Sequence, residues 1–204
     1  MKYLLSLLIG YGFGLINPAA LVSKIKNTDL KRVGTKNLGA TNTFLSIGKS
    51  FGLLVMVIDI SKAFFAYKLC RFLFKELAIS GILAGIGAIL GHIFPIYLKF
   101  KGGKGLAAFA GLVLAHDPWM FLILLIFCTA LMIAVNYSIA MPVSAAVSFP
   151  ILCALKTRSI AVTLFAALAG VIILVSHFEI ALRIKNKEEA KVRDIIKEKV
   201  FNIS

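Results

Sequence analysis

Long apolar blocks, separated by polar and basic segments, are the feature that most constrains this chain. Several blocks approach the roughly 20 residues that a helix needs to cross a bilayer. Hydrophobic residues make up 60% of the 204 positions, and charged residues only 16%. Helices that are apolar on every side cannot all be buried in a soluble protein of this size. We therefore predict an all-α, polytopic membrane protein.

About seven transmembrane helices can be drawn on the sequence. We expect the short fourth one to start inside the membrane or to be re-entrant. Residues 1–182 are predicted to form a single membrane domain, and residues 183–204 a cytoplasmic tail of mixed charge. The tail is expected to be a surface helix with an apolar stripe of Val192, Ile195, Ile196, Lys199 and Val200. The predicted spans are 3–23, 51–70, 77–98, 105–115, 119–135, 138–155 and 159–180.

The distribution of lysine and arginine predicts the orientation. If the N-terminus faces outward, 16 of the 23 lysines and arginines fall in inward-facing segments and six in outward-facing ones. Because cytoplasmic loops carry the excess of positive charge, this favours an outside N-terminus and a cytoplasmic C-terminus. The net charge of +14 is interpreted in the same way, since the anionic leaflet attracts cations beside apolar spans. With no nucleic-acid-binding motif beside those cations, no nucleic-acid partner is expected.

No metal site and no cofactor are expected from the sequence. Cys70, Cys128 and Cys153 lie in or beside apolar blocks without paired spacing, which is typical of buried free thiols. No HExxH motif and no carboxylate cluster accompany them. Two histidines, His92 and His177, lie at the cytoplasmic ends of predicted spans and are better candidates for contact with a substrate.

A glycine-rich turn at residues 99–105 reads KFKGGKG and directly precedes an apolar helix. Glycines let successive backbone amides point into one concavity. The helix N-terminus and Lys104 add positive charge. The turn is not a Walker A loop, because Leu98 and Gly105 stand where that motif needs Gly and Ser or Thr. It suits either a flexible basic turn or a phosphate cradle built by Gly102, Gly103, Lys104 and Gly105.

A second candidate lies in the longest connection, residues 24–50. A loop this long in so small a protein is usually functional. Its segment 34–42 concentrates hydroxyls, amides and small residues that can approach a polar ligand closely. The same composition suits turns and a helix N-cap, so both interpretations stay open. The candidate phosphate-binding residues of this segment are Thr35, Lys36, Asn37, Gly39, Thr41 and Asn42.

Asp59 and Lys62 place two opposite charges inside the second predicted span. They are three residues apart and therefore share one helix face. Either charge alone at the apolar centre would cost roughly 2.5–3.5 kcal/mol. We therefore predict a structural intramembrane pair, or charges that face a polar interior.

Three segments together resemble the PlsY family of bacterial membrane acyltransferases. They read GLINP at 14–18, NLGATN at 37–42 with DISK at 59–62, and GHIFP at 91–95 with KFKGGKG at 99–105. The resemblance implies a multi-pass protein of the bacterial plasma membrane that works in phospholipid synthesis. It implies acyl transfer from acyl phosphate to glycerol 3-phosphate, giving lysophosphatidic acid. The implied partners are these two substrates and membrane lipids, and the protein is expected to be a monomer.

The resemblance also assigns roles to residues. In the family, phosphates are bound by loop amides, Lys, Arg and His. By that resemblance Lys104 and His177 are catalytic, and Lys104 with the amides of Gly102–Gly105 holds phosphate. The other residues expected to contact substrate are Asn37, Thr41, Asn42 and His92.

The chain departs from the family pattern at three polar positions. Leu45 stands where an arginine is usual, Met141 replaces a serine, and Ile180 replaces an asparagine. A hydrogen bond to a charged group contributes roughly 1.5–3 kcal/mol, so these losses slow the reaction unless another group compensates. We interpret Lys36, together with Lys49, as the compensating charge in the first loop.

Three functions stay open at this point. The GGKG and GATN motifs favour an active acyltransferase. The departures favour a catalytically impaired paralogue that binds phosphate ligands or lipid. Charges inside the membrane and interrupted helices also permit a carrier for a phosphorylated solute, although no inverted repeat is evident.

Overall fold

The computed structural model describes residues 1–200, without the side chains of residues 196 and 198–200. Helices and their connections make up this described part, and it contains no β-strand. Within it, one bent pair of helices, Ile160–Ser176 with Phe178–Lys185, forms a candidate membrane span. Four straighter stretches are long and apolar enough to cross a membrane: Lys2–Ile25, Ser80–Leu98, Pro118–Val135 and Ala140–Thr157. The predicted all-α membrane fold is confirmed.

The chain divides into two compact units, Met1–Pro118 and the part from Trp119 onward. In the first unit a short 3₁₀ helix, Ile96–Leu98, precedes the glycine-rich turn. The α-helices of this unit are α1 (Lys2–Gly14), α2 (Pro18–Ile25), α3 (Ala40–Ser46), α4 (Lys49–Leu73), α5 (Ser80–Ile93) and α6 (Leu106–His116).

Two of the seven predicted spans correspond to α4 and α6, which do not have both the length and the apolar composition of a complete membrane crossing. At 25 residues, α4 is long enough, but it carries Asp59, Lys62 and Lys68. With 11 residues, α6 is about 16 Å long, roughly half of the hydrocarbon core. The count of seven spans and the orientation of the termini therefore stay predictions.

Small residues let α1 pack closely against α5. Every residue of α5 except Leu90 is buried. A Cβ on Gly10 would lie 1.9 Å from the carbonyl oxygen of Ala84, and one on Gly14 would lie 2.4 Å from that of Ala88. Helices in membranes commonly associate through such small residues, because lipid tails are as apolar as the helix surfaces. This contact fixes α5, onto whose end the glycine-rich turn folds back.

A break separates α1 from α2 inside the first predicted span. Pro18 is the first residue of α2, and the side chain of Asn17 accepts a hydrogen bond from the backbone N–H of Ala20 at 2.9 Å. Proline suits this position because it has no N–H to leave unsatisfied. The Asn-Pro pair thus ends one helix and caps the next.

The carbonyl groups released by this break have side-chain partners. Lys62 Nζ donates to the carbonyl oxygens of Gly14 and Ile16, at 3.3 and 2.7 Å. Tyr97 Oη donates to the carbonyl oxygen of Leu15 at 2.8 Å. Unpaired carbonyls in a membrane interior are costly, so these contacts stabilise the interruption.

The second unit is built around the helices α8 and α9. A Cβ on Gly170 would lie 2.4 Å from the carbonyl oxygen of Ala146, so these two helices also approach closely. The helices here are α7 (Pro118–Val135), α8 (Ala140–Thr157), α9 (Ile160–Ser176), α10 (Phe178–Lys185) and α11 (Val192–Val200).

The tail folds back on the turn between α7 and α8. The backbone N–H of Val192 donates to the carbonyl oxygen of Asn136 at 3.1 Å. The Asn136 side chain accepts from the N–H of Arg193 at 2.9 Å. Arg183 and Glu189 form a salt bridge of 3.0 Å. Asn136 therefore caps the start of α11.

The predicted tail helix corresponds to α11, in which Val192 is buried. The remainder of its predicted stripe is only partly described. The side chains of Ile196, Lys199 and Val200 lie outside the described residues, as do residues 201–204 altogether. The predicted domain boundary after residue 182 falls within α10 and stays a prediction.

Candidate active site

Asn42 braces the loop between α2 and α3. Its side chain is fully buried, and its Oδ1 accepts hydrogen bonds from the backbone N–H of Thr35 at 2.8 Å and the hydroxyl of Ser46 at 3.2 Å. The carbonyl oxygens that accept from its Nδ2 are those of Leu30, Val33 and Asn37, at 2.7, 3.1 and 2.9 Å. One amide side chain therefore holds residues 30–37 of the loop to the start of α3.

This role differs from the predicted one, in which Asn42 binds phosphate. Both polar atoms of its amide are already bonded within the loop, so the side chain is a brace. Gly34 belongs to the same arrangement: its φ is 57°, and a Cβ there would lie 2.2 Å from Asn42 Oδ1. The segment does contain a helix N-cap, but that residue is Gly39, whereas the sequence had suggested Thr41 or Asn42.

The glycine-rich turn folds back onto the end of α5. The N–H of Gly102 donates to the carbonyl oxygen of Ile93 at 3.0 Å, and that of Gly103 to the carbonyl oxygen of His92 at 3.1 Å. A Cβ on Gly102 would lie 2.0 Å from the His92 carbonyl oxygen. The turn can therefore reach α5 only because it lacks side chains at this point.

These hydrogen bonds correct the predicted phosphate cradle. The amides of Gly102 and Gly103 are bonded to protein carbonyls, so they do not point into an open concavity. Gly105, with φ of 82°, precedes the first turn of α6, and Lys104 next to it is half-buried. The positive charge of the turn comes from the start of α6 and from Lys99, Lys101 and Lys104.

The two candidate segments lie against each other at Gly103. A Cβ on Gly103 would lie 2.6 Å from the carbonyl oxygen of Leu38 and 2.1 Å from Nε2 of His92. Leu38 itself is buried. The two segments that the sequence analysis gave as separate phosphate-binding candidates are therefore neighbours.

Asp59, Lys62 and His92 form a buried cluster behind this contact. Lys62 Nζ lies 2.7 Å from Asp59 Oδ1, as the i,i+3 spacing predicted, and 2.8 Å from His92 Nδ1. His92 Nδ1 is also 3.2 Å from Asp59 Oδ1. All three side chains are almost fully buried. The intramembrane pair thus has a third member that the sequence prediction assigned to phosphate.

A family model described as glycerol-3-phosphate acyltransferase matches residues 4–187. The chain belongs to this family. A glycerol-3-phosphate acyltransferase of Bacillus cytotoxicus is 35% identical over 200 residues, covering 98% of this chain and 99% of the relative. One of Enterococcus faecalis is 34% identical over 202 residues, covering 94% of this chain and 93% of the relative.

Solved structures agree with this assignment. The crystal structure of PlsY, an integral membrane glycerol 3-phosphate acyltransferase, in its glycerol 3-phosphate form aligns with a TM-score of 0.81 at 27% identity, covering 94% of this chain and 96% of PlsY. The lysophosphatidic acid form of PlsY aligns with a TM-score of 0.79 at 26% identity. The resemblance to PlsY is confirmed, and the chain is a multi-pass acyltransferase of the bacterial plasma membrane.

The other residues of segment 34–42 that were predicted to bind phosphate lie in the loop held by Asn42 and in the first turn of α3. Lys36 is exposed and has a left-handed φ of 54°. Thr41 is exposed in the first turn of α3, and Thr35 and Asn37 are half-buried. Gly39 is buried, and its carbonyl oxygen accepts from the N–H of Thr43 at 3.0 Å. Among these predicted residues, the exposed ones are therefore Lys36 and Thr41.

His177 lies in the second unit, buried at the junction of α9 and α10. Its Nδ1 is 2.9 Å from the carbonyl oxygen of Ile173, so the hydrogen on Nδ1 is held by that carbonyl. In the neutral ring Nε2 is then an acceptor. Ser176 Oγ lies 3.0 Å from the same ring nitrogen, and the role of His177 at a phosphate stays a prediction.

The positions that depart from the family carry apolar side chains here. Leu45 is half-buried in α3, Met141 is half-buried in the first turn of α8, and Ile180 is buried in α10. Ser138, the hydroxyl retained near Met141, lies 3.4 Å from Glu189. None of these side chains except Ser138 offers a polar atom to a substrate.

Sequence reasoning missed two functions that the structure assigns. The brace formed by Asn42 involves partners 4 to 12 residues away, which no short motif reveals. The link from Lys62 to His92 joins α4 to α5, and the only signal for it was that an intramembrane pair needs further polar partners. In the described residues no group of three or more His, Cys, Asp or Glu could hold a metal ion.

Proposed function

We propose that this acyltransferase uses acyl phosphate as its donor and glycerol 3-phosphate as its acceptor, giving lysophosphatidic acid. The proposal is carried by the contact of Gly103 with Leu38, which joins two basic segments beside one buried cluster. Both substrates carry phosphate, and the acyl donor also carries a chain that belongs in the bilayer. The PlsY structures were solved in glycerol 3-phosphate and lysophosphatidic acid forms, which supports the same acceptor and product here.

In the proposed reaction, the acceptor hydroxyl oxygen attacks the acyl carbonyl carbon. The bond from that carbon to the phosphate oxygen breaks, and phosphate leaves with the bonding electrons. The hydroxyl proton passes to a phosphate oxygen, so no strong protein base is required. Lys104 and the N-terminus of α6 stabilise the negative charge and hold the reactants in position. His177 is the second catalytic residue, donating to phosphate when protonated.

Lys36 is proposed to replace part of the charge that Leu45 lacks. It is exposed beside Asn37, on the outward side of the loop that Asn42 braces. A lysine cannot reproduce the two-pronged hydrogen bonding of an arginine, so Lys36 attracts the acceptor phosphate as a single point charge. Thr35 and Thr41 provide hydroxyls beside it. Lys49, at the start of α4, is the second candidate cation.

Purified protein in lipid bilayers tests the proposal directly. With palmitoyl phosphate and labelled glycerol 3-phosphate, we expect labelled lysophosphatidate and free phosphate in equal amounts. Lys104→Ala should abolish most of this turnover, whereas Lys75→Ala, which removes an exposed cation outside both segments, should not. Product from palmitoyl thioester but not from palmitoyl phosphate would overturn the choice of donor.

The departures at Leu45, Met141 and Ile180 favour one second candidate, a paralogue that binds these ligands without turnover. Binding of glycerol 3-phosphate by calorimetry, combined with no product from either donor, would support it. Uptake of glycerol 3-phosphate into sealed vesicles without an acyl donor would support a carrier instead. We propose a monomer as the active form, which light scattering of the detergent-solubilised protein tests.

A further inference from the structure

The buried cluster of Asp59, Lys62 and His92 lies directly beneath the glycine-rich turn. The two nitrogens of the His92 ring face opposite partners. Nδ1 faces the charged pair, at 2.8 Å from Lys62 Nζ. Nε2 lies 2.1 Å from the point that a Cβ of Gly103 would occupy. The ring therefore fills the space between the pair and the turn.

Donor and acceptor chemistry fixes how the ring is held. An ammonium group can only donate and a carboxylate can only accept, so Nδ1 either accepts from Lys62 or donates to Asp59. In either tautomer this side of the ring is held by the charged pair. The same ammonium group donates to the carbonyl oxygens of Gly14 and Ile16 and lies against Asp59. The Lys62 ammonium group is therefore held by contacts with residues at the end of α1 and with its own helix, α4.

The main chain of His92 completes the connection. Its carbonyl oxygen accepts from the N–H of Gly103 at 3.1 Å, and the next carbonyl, that of Ile93, accepts from the N–H of Gly102 at 3.0 Å. Because Gly103 has no side chain that could move aside, a displacement of the His92 ring shifts the main chain of the turn. Lys104 follows immediately in the chain.

We infer that Asp59 and Lys62 are positioning residues for acyl transfer, holding the His92 ring and through it the Gly102–Gly103 turn that carries Lys104. This inference rests on the proposed function, because it concerns the same turn. Asp59 and Lys62 contribute no contact to the substrate. His92 is a positioning residue as well, in place of the direct phosphate contact predicted from the sequence.

The first test removes both charges together, in Asp59→Asn/Lys62→Met. A single removal would leave an unpaired buried charge and unfold the protein, whereas loss of a whole buried pair is often tolerated. We expect a lower melting temperature, because the carbonyl oxygens of Gly14 and Ile16 lose their partner. At a temperature where the variant is folded, kcat/KM should be lower by about tenfold or more, since a misplacement of about 1 Å costs up to about 100-fold. Tyr67→Phe is the matched control on α4, because it removes a polar contact with His116, and its kcat/KM should equal the wild-type value.

The second test separates positioning from direct contact at His92. Asparagine places its side-chain oxygen near the position of Nδ1 and can accept from Lys62, whereas glutamine places its amide near the position of Nε2. Positioning predicts that His92→Asn keeps more activity than His92→Gln. The reverse order would assign His92 to the substrate and overturn the inference. This comparison decides the question even if the double variant does not fold.

A third measurement is independent of turnover. Hydrogen exchange of the peptide containing Gly102 and Gly103 should be slow in the wild type, because both amides are bonded to carbonyls of α5. In Asp59→Asn/Lys62→Met it should be faster, with exchange of α6 unchanged. Unchanged exchange and unchanged kcat/KM in this variant would overturn the inference. Absence of turnover in the wild type, with the exchange difference present, would instead reject the proposed function alone.

Discussion

The two segments that meet at Gly103 are held in their conformations by different means. In the loop between α2 and α3, residues 30–37 share one side-chain partner, Asn42, which bonds five groups in all. The glycine-rich turn depends on main-chain carbonyls at the end of α5 and on the absence of side chains at Gly102 and Gly103. The first arrangement fails when a side chain is removed, and the second fails when one is added.

This difference predicts which substitutions change mainly the stability of the protein and which change mainly its activity. A change at the loop brace should act mainly on stability, because the groups it releases are buried. A change at the glycine turn should act mainly on activity, because the turn lies beside Lys104. The four predictions below use this contrast, beginning with the largest expected effect.

Asn42→Ala should destabilise the loop by about 3–5 kcal/mol, since it removes five hydrogen bonds and leaves buried carbonyls unpaired. Proteolysis within residues 27–39 and thermal unfolding measure the effect. Asn42→Asp is the sharper companion: it keeps the acceptor oxygen but places a carboxylate against three carbonyl oxygens. Stability like that of Ser50→Ala, an exposed control, would contradict the role of Asn42 as a brace.

Gly103→Ala should lower kcat/KM by about 100-fold or more, because a displacement of about 1 Å at a catalytic turn has effects of that size. The added Cβ meets a main-chain carbonyl oxygen at 2.6 Å, and Leu38 cannot move as a flexible side chain would. Gly12→Ala is the matched control, since a Cβ there has no neighbour within 4 Å. Equal activity of the two variants would show that the contact with Leu38 is unimportant.

Lys36→Ala should raise KM for glycerol 3-phosphate by about tenfold, the equivalent of one hydrogen bond to a charged group. Its kcat and melting temperature should change little, because the side chain is exposed and outside the Asn42 brace. Lys36→Arg should restore the wild-type KM. Unchanged KM in Lys36→Ala, measured by initial rates at saturating acyl phosphate, would remove this residue from the acceptor site.

Ser46→Ala should cost about 1 kcal/mol in stability, since it removes one hydrogen bond from the brace. The hydroxyl of Ser46 lies 3.2 Å from Asn42 Oδ1, and the other partners of Asn42 stay in place. Thermal unfolding of the single variant and of Ser46→Ala/Asn42→Ala forms a double-mutant cycle. Purely additive effects in this cycle would show that the two side chains are not coupled.

Much of the fold follows from apolar pattern alone. The predicted spans 119–135 and 138–155 correspond closely to α7 and α8, because a run of apolar residues ends where polar ones begin. The interruption at Asn17-Pro18 was also predictable from the sequence, since this pair is typical of a helix start. It was overlooked because the surrounding block is apolar and was long enough for one crossing.

The candidate site was predictable in outline and not in detail. The motifs singled out residues 37–42 and 102–105, and the structure brings these two segments together at Gly103 and Leu38. They did not reveal that Asn42 and the amides of Gly102 and Gly103 are bonded within the protein. Local sequence shows which groups could bind phosphate, whereas burial and long-range partners decide which of them remain for a ligand. The assignments of Lys104, His177, Lys36 and Thr41 to the substrates stay predictions.

Lys62 gives the interrupted first helix a property of its own. Where a membrane helix is broken, the exposed main-chain oxygens can attract an ion from solution, as in carriers that couple transport to sodium. Here the positive group is attached to the chain by a covalent bond and occupies that place among the oxygens of Gly14 and Ile16. These main-chain oxygens are therefore occupied as soon as the protein folds, and their occupancy does not depend on the salt concentration on either side of the membrane.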